Sequence, residues 1–176
     1  MGLLLIASLV FGGQAMAKDE QVWVRIFQAE SHAIRDHALL AGHSLANYGE
    51  MLFGQVDRST AEALQAQGVT VRISENPFKL TLGEETFDPA QRFPQRLDSP
   101  AATAPGWHLV QFQGPVRSQW LSALRDQGVR IAQPIYPFSY VVWVEPDQLS
   151  RASQLESVRW MGAWQAEWAL QPQQRD

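Results

Sequence analysis

The sequence predicts an α+β protein in which two βαββαβ units stand in tandem. Three observations carry that expectation. Ala63-Leu64-Gln65-Ala66-Gln67-Gly68-Val69-Thr70-Val71 is matched in the second half by Ala123-Leu124-Arg125-Asp126-Gln127-Gly128-Val129-Arg130-Ile131. Each reads as the end of an amphipathic helix, a glycine stop and the start of a strand, because glycine takes the left-handed conformation without a Cβ penalty. Strand-like and helix-period runs alternate in the same order on either side of a proline-rich stretch. With 45% apolar and 18% charged residues over 176 positions, the chain has a globular composition and room for one ordinary domain or two small ones.

The first residues read as an export signal. Leu3 to Phe11 is almost uninterruptedly apolar, and Ala15-Met16-Ala17 precedes the charged Lys18-Asp19-Glu20. A short apolar core before a small-x-small site predicts a cleaved peptide over 1–17, too short for a bilayer span of about 20 residues. Met1-Gly2 lacks the usual basic residue. The expected location is therefore secreted or periplasmic, with no stable membrane span after cleavage. The chain has no cysteine, so neither disulfides nor thiolate metal sites are available. A net charge of -4 with scattered Lys and Arg argues against nucleic acid as a partner.

The first unit is expected over 21–74. Gln21 to Phe27 alternates as a strand. Glu30 to Ala41 carries Ala33, Ile34, His37, Ala38 and Ala41 at helical spacing, closed by Gly42. Ser44–Tyr48 and Met51–Val56 flank a Gly49-Glu50 hairpin turn. Asp57 or Ser59 caps a helix that ends at Gly68, and Val69–Ile73 is the closing strand. Residues 75–105 hold Asn76-Pro77, Asp88-Pro89, Phe93-Pro94, Ser99-Pro100 and Ala104-Pro105. Such spacing forbids a long helix or a central strand, so a linker is expected to wrap over the first unit, anchored by Phe78, Leu80, Leu82, Phe87 and Phe93.

The second unit is expected over 106–163. Trp107–Phe112 is a strand, and Pro115 opens a helix running to Gln127 with Trp120, Leu121 and Leu124 as its stripe. Val129–Ile135, interrupted by Pro134, reads as an edge strand, and Phe138–Val144 as a central one. Pro146-Asp147 opens a helix, and Val158–Gly162 is the last strand. The order in both halves is that of the ferredoxin-like, split βαβ arrangement. A tail over 164–176 is aromatic and then polar.

No catalytic or metal-binding constellation accompanies these elements. His32 and His37 are five apart, so a helix would point them in different directions, and no His-Glu-x-x-His pattern occurs. Gly42-His43-Ser44 sets a histidine beside a serine, but neighbours on a strand face opposite ways. A cryptic hydrolase using His43 and Ser44 is the least supported reading. Glu84-Glu85 lies in the linker and reads as a solvated loop. Trp160, Trp164 and Trp168 at four-residue steps read as a protein-docking surface ahead of a carbohydrate platform, since basic residues for nucleic acid are lacking. No enzyme activity, cofactor or metal is expected.

Trp107 to Val116 with Gln111-Phe112-Gln113-Gly114-Pro115, then Trp120, Gly128-Val129, Pro134 to Val142, and Val158-Arg159-Trp160-Met161-Gly162-Ala163-Trp164 resemble the N-terminal prodomain region of secreted subtilisin-like serine proteases. The resemblance covers about residues 107 to 170; the first unit shares only the order of elements. In that family the catalytic domain follows the prodomain, whereas this chain stops at Asp176. The resemblance therefore implies a propeptide- or inhibitor-like module without hydrolase activity, acting as a chaperone or inhibitor of a subtilisin-like protease, or a fragment of a protease precursor. It implies a sheet packed on the protease and a tail lying in its cleft like a product, with Trp164, Trp168, Ala169, Leu170 and Gln171 as the contacting residues. The alternative is a cell-envelope adaptor that binds protein or glycan.

Overall fold

A computed structural model describes residues 20–27, 37–93, 104–165 and 168. The expected signal peptide, the greater part of the Glu30–Ala41 helix, and Ala169, Leu170 and Gln171 lie outside them. The described chain is mixed α+β, with antiparallel sheets and four helices.

Alternation in β1 (Gln21–Phe27) sends Val22, Val24 and Ile26 into a core and leaves Trp23, Arg25 and Phe27 on the other face. β2 (Leu45–Asn47) and β3 (Met51–Asp57) are joined through Gly49 at φ +81, whose N–H donates to the Asn47 side chain. α1 (Arg58–Ala66) follows Asp57 and lays Ala61 and Leu64 on that core. β4 (Val71–Ser74) closes the sheet in the order β2-β3-β1-β4, every pair antiparallel. Two details differ from the sequence reading. The described end of the Glu30–Ala41 segment is a 3-10 turn, Ala38–Leu40, entered through extended backbone at His37, whose Nδ1 accepts from the Leu39 N–H. The closing strand starts at Val71 rather than Val69, because the Val69 N–H is used to close α1 on the Leu64 carbonyl.

The second sheet is built from β7 (Gly106–Phe112), β8 (Arg130–Ile135), β9 (Ser139–Val144) and β10 (Val158–Ala163), in the order β10-β7-β9-β8 and again antiparallel throughout. α3 (Ser118–Asp126) and α4 (Pro146–Ser153) bury Leu124, Leu149 and Ala152 against Val110, Phe112, Val142 and Val144. β8 is an outer strand, where Pro134 removes no ladder bond the sheet requires, and the apolar β9 is central.

The two matched helix stops have the same geometry. Gly68 and Gly128 sit at φ +83 and +85. The Gly68 and Gly128 N–H groups donate to Gln65 and Arg125 at 2.9 and 2.8 Å, and those of Val69 and Val129 to Leu64 and Leu124 at 3.0 and 3.2 Å. Each pair of bonds satisfies carbonyls that the helix end would otherwise leave open.

The 75–105 segment departs from the expectation of a linker over the first unit. Its described stretch, 75–93, forms a hairpin, β5 (Leu80–Leu82) and β6 (Glu85–Phe87), followed by α2 (Pro89–Arg92). Leu80, Leu82 and Phe87 pack on the second sheet with Leu109, Trp160 and Trp168, and only Phe78 joins the aromatic residues of the first. Alternation in Leu80-Thr81-Leu82 gives the hairpin one apolar face, and Pro89 occupies the first turn of α2, where proline costs nothing.

The two sheets meet through aromatic rings. Phe138 lies 5.5 Å from Phe53 and 5.8 Å from Phe78, and Trp23 lies 4.9 Å edge-on to Phe78. Phe138 holds this position at φ +56, a left-handed conformation that a bulky residue keeps only when packing enforces it. Gly114 makes the close approach possible, since a Cβ there would stand 2.8 Å from the Phe53 ring.

Candidate functional site

Between the connecting segment and the second sheet lies a polar network built from four side chains. β10 is irregular between Val158 and Trp160 where it pairs with β7, which puts Arg159 at a bulge. A bulge re-aims the side chain it carries. Arg159 grips Asp88 as a fork, Nη1 to Oδ1 at 2.7 Å and Nη2 to Oδ2 at 2.8 Å, and Nη1 also donates to Gln111 Oε1 at 2.7 Å. Asn76 Nδ2 donates to Asp88 Oδ2 at 2.8 Å, and the Ala90 N–H to Oδ1 at 3.1 Å, so the same carboxylate caps α2. Gln111 Nε2 donates to the Phe78 carbonyl at 2.8 Å, the Asn76 side chain accepts from the Phe78 N–H at 2.9 Å, and the guanidinium stands 4.2 Å over the Phe78 ring.

Burial by itself pushes the Asp88 carboxyl up. The Arg159 fork, the Asn76 amide and the Ala90 N–H outweigh it and hold the group below the ordinary carboxylate range. Each oxygen accepts two hydrogen bonds, which fills the four lone-pair sites of the carboxylate. Asp88 is thus a fixed anion that latches the connecting segment to β10, not a group free to take a proton from a substrate. An open cleft of about 420 Å³ borders the network, with Trp23, Glu75, Gln91 and Gln113 on its other walls.

Trp164 and Trp168, the described aromatic residues of the tail, turn inward. The Trp164 N–H donates to the Trp107 carbonyl at 2.8 Å, and its ring stands 5.5 Å edge-on to Trp168. Trp168 is buried, 5.7 Å from Phe87 and 5.9 Å from Phe93. Trp160 is buried as well and donates Nε1–H to the Phe93 carbonyl at 2.7 Å. The three tryptophans therefore pack against the β5–β6 hairpin and α2 instead of presenting an open stacking face.

The described histidines, His37, His43 and His108, are dispersed. His37 accepts at Nδ1 from Leu39 and donates Nε2–H to Gln67 Oε1 at 2.9 Å. His43 lies 3.7 Å from Asp57. His108, which the sequence reading passed over, is buried in β7 and donates Nδ1–H to the Gly106 carbonyl. Burial pushes its pKa down, and the carbonyl contact only partly opposes that. Among the described residues no three His, Asp or Glu gather as metal ligands; His32 lies outside them. No helix among the described residues is long and apolar enough to cross a membrane.

Sequence reasoning missed the network. A signal was present: Arg159 interrupts an otherwise apolar strand, Gln111 sits between apolar residues near the end of another, and Asn76 and Asp88 each precede a proline. A family model described as a domain of unknown function (DUF8729) matches residues 81–165. That stretch runs from within β5 to just past β10 and takes in the hairpin together with the sheet it covers. No curated protein and no solved structure matches the chain.

Proposed function

We propose that the chain is a non-catalytic, exported binding module of two tandem ferredoxin-like units, related to subtilase prodomains, and that it acts on a subtilisin-like serine protease as an inhibitor or folding aid, or forms part of a protease precursor. One observation carries the reading: both sheets run in the order fourth, first, third, second strand, and in the second sheet α3 and α4 cover one face while the chain leaves from an outer strand toward the tail. That supports the arrangement the prodomain resemblance implies. The opposite face of the second sheet is already covered by the β5–β6 hairpin and Trp168. In this reading Trp164 and Trp168 therefore clamp the exit, and Ala169, Leu170 and Gln171 form the segment offered to the protease cleft, where backbone pairing supplies affinity. The test is inhibition and assisted refolding of a secreted subtilisin-like protease by the whole chain, compared with a chain truncated after Trp168. Inhibition at micromolar levels that truncation abolishes is the expected result; neither inhibition nor assisted refolding would overturn it.

One surface favours the envelope-adaptor reading. Trp107 is 48% exposed and stands 5.2 Å edge-on to Trp143, directly across the β7–β9 ladder, with Arg130 over the Trp143 ring. Pull-down from an envelope extract with the wild-type chain and Trp107→Ala separates the two readings.

A further inference from the structure

A second cleft, of about 260 Å³, opens where the far face of the first sheet meets the β8–β9 turn, on residues that the protease reading does not use. Arg25 and Arg72 stand directly opposite each other in the β1–β4 ladder, so both guanidinium groups leave the same face. Lys79 adds a third cation to the lining, and no Asp or Glu lines the cleft. Like charges set opposite each other across a ladder destabilise a sheet. Nothing here relieves that by pairing: among the described residues, Arg58, Arg92, Arg151 and Arg159 have carboxylate partners, whereas Arg25 and Arg72 rest on the rings of Phe138 and Phe27 at 5.4 and 5.2 Å. Three cations gathered without an anion, in a chain of net charge -4, form a local site of opposite sign to the whole.

We propose that this cleft binds an extended, carboxylate-rich segment of a partner protein. The space is below that of an ordinary small-molecule pocket, so it suits side chains entering from a surface-bound chain rather than an engulfed ligand. Tyr136, 78% exposed at the rim, and Trp23 in the wall supply the aromatic contact area that, with arginine, dominates binding in protein interfaces. β4 is an outer strand, and beyond the Val71 carbonyl, which accepts from Gln65 Nε2, its edge offers backbone groups to a second extended chain beside the cations. Arginine forks match carboxylates bidentately, and a guanidinium lying on an aromatic ring keeps its N–H groups for such a partner.

The experiment is fluorescence anisotropy of a fluorescein-labelled hexaglutamate peptide titrated with the whole chain at low and at physiological salt. The expected result is saturable binding that weakens with salt, falls at least tenfold in Arg72→Glu/Lys79→Glu, and is not displaced by inorganic phosphate at the same concentration as the peptide. Both substituted residues are exposed; if circular dichroism shows that the double variant does not fold, Arg25→Gln carries the same tenfold expectation. Absent binding, binding unchanged by these substitutions, or displacement by phosphate each overturns the proposal, the last by assigning the cleft to a free anion. Protease inhibition is expected to be the same in Arg72→Glu/Lys79→Glu, so failure here and failure of the protease reading are told apart.

Discussion

Asp88→Asn tests whether the Asp88–Arg159 pair latches the connecting segment. Asparagine keeps the shape of the side chain and an oxygen for the Ala90 N–H, but it removes the charge and one arm of the fork. The Asp88 side chain is fully shielded and that of Arg159 is 22% exposed. Removing one partner of a buried pair costs about 3–5 kcal/mol, against about 0.2–1 kcal/mol for an exposed pair. Arg159 retains some water contact and its bond to Gln111, so the expected loss is about 2–3 kcal/mol, just below the buried range and well above the exposed one. Asp88→Ala also removes the α2 cap and is expected to cost about 1 kcal/mol more. Urea unfolding followed by tryptophan fluorescence measures both, and a cycle with Arg159→Met is expected to return a coupling of about 2 kcal/mol. Hydrogen exchange should place the loosening in β5, β6 and α2 before β7. A loss below about 0.5 kcal/mol, or additive single variants, would refute the latch and return the pair to the class of surface ion pairs.

The two glycine stops should differ in cost. Gly68→Ala meets only the left-handed backbone and is expected to lose about 1 kcal/mol. Gly128→Ala also places a Cβ 2.7 Å from Gln148 Nε2 and disturbs the capping box at α4, so about 2 kcal/mol is expected in the same unfolding assay. Trp168→Ala leaves Phe87 and Phe93 uncovered; about 3 kcal/mol of lost stability and faster proteolysis after Trp164 are expected. Stability should fall on acidification in two stages. His108 is held below its ordinary value of 6.5, so the unfolded chain takes the proton first, and stability present above that pH is lost below it at up to about 1.4 kcal/mol per pH unit until the folded histidine titrates. Asp88, held low, contributes stability that is present above its ordinary value of 3.8 and lost as pH falls below it. Urea midpoints across this range should flatten in the upper stage alone for His108→Asn; an unchanged profile would show that burial does not perturb the imidazole.

The matched segments were legible because a helix stop is local: glycine, the helical spacing before it and the strand after it are neighbours in sequence. Their meaning was not local. The first match lies on the crossover from the third to the fourth strand of its sheet, the second on the crossover from the first to the second. What they share is that each helix feeds an outer strand, β4 or β8. The outer position of β8 could be read from Pro134, and the central one of β9 from its apolar run, since each follows from what a ladder permits. The role of 75–105 could not. In its described stretch, 75–93, the elements are as short as its prolines require, but whether Leu80 and Phe87 lie on the first sheet or the second depends on which has an uncovered apolar face.

By itself, the chain fixes where helices stop, which strands have one wet face and which are dry, because these depend on backbone conformations and on side chains within a few positions of each other. Only the folded arrangement brings Asp88 to Arg159, 71 residues away, and sets Arg25 across from Arg72. Such encounters follow from strand register and from the bulge at Arg159, and the energy that selects a register is spread over a whole buried face rather than written in any one stretch of residues.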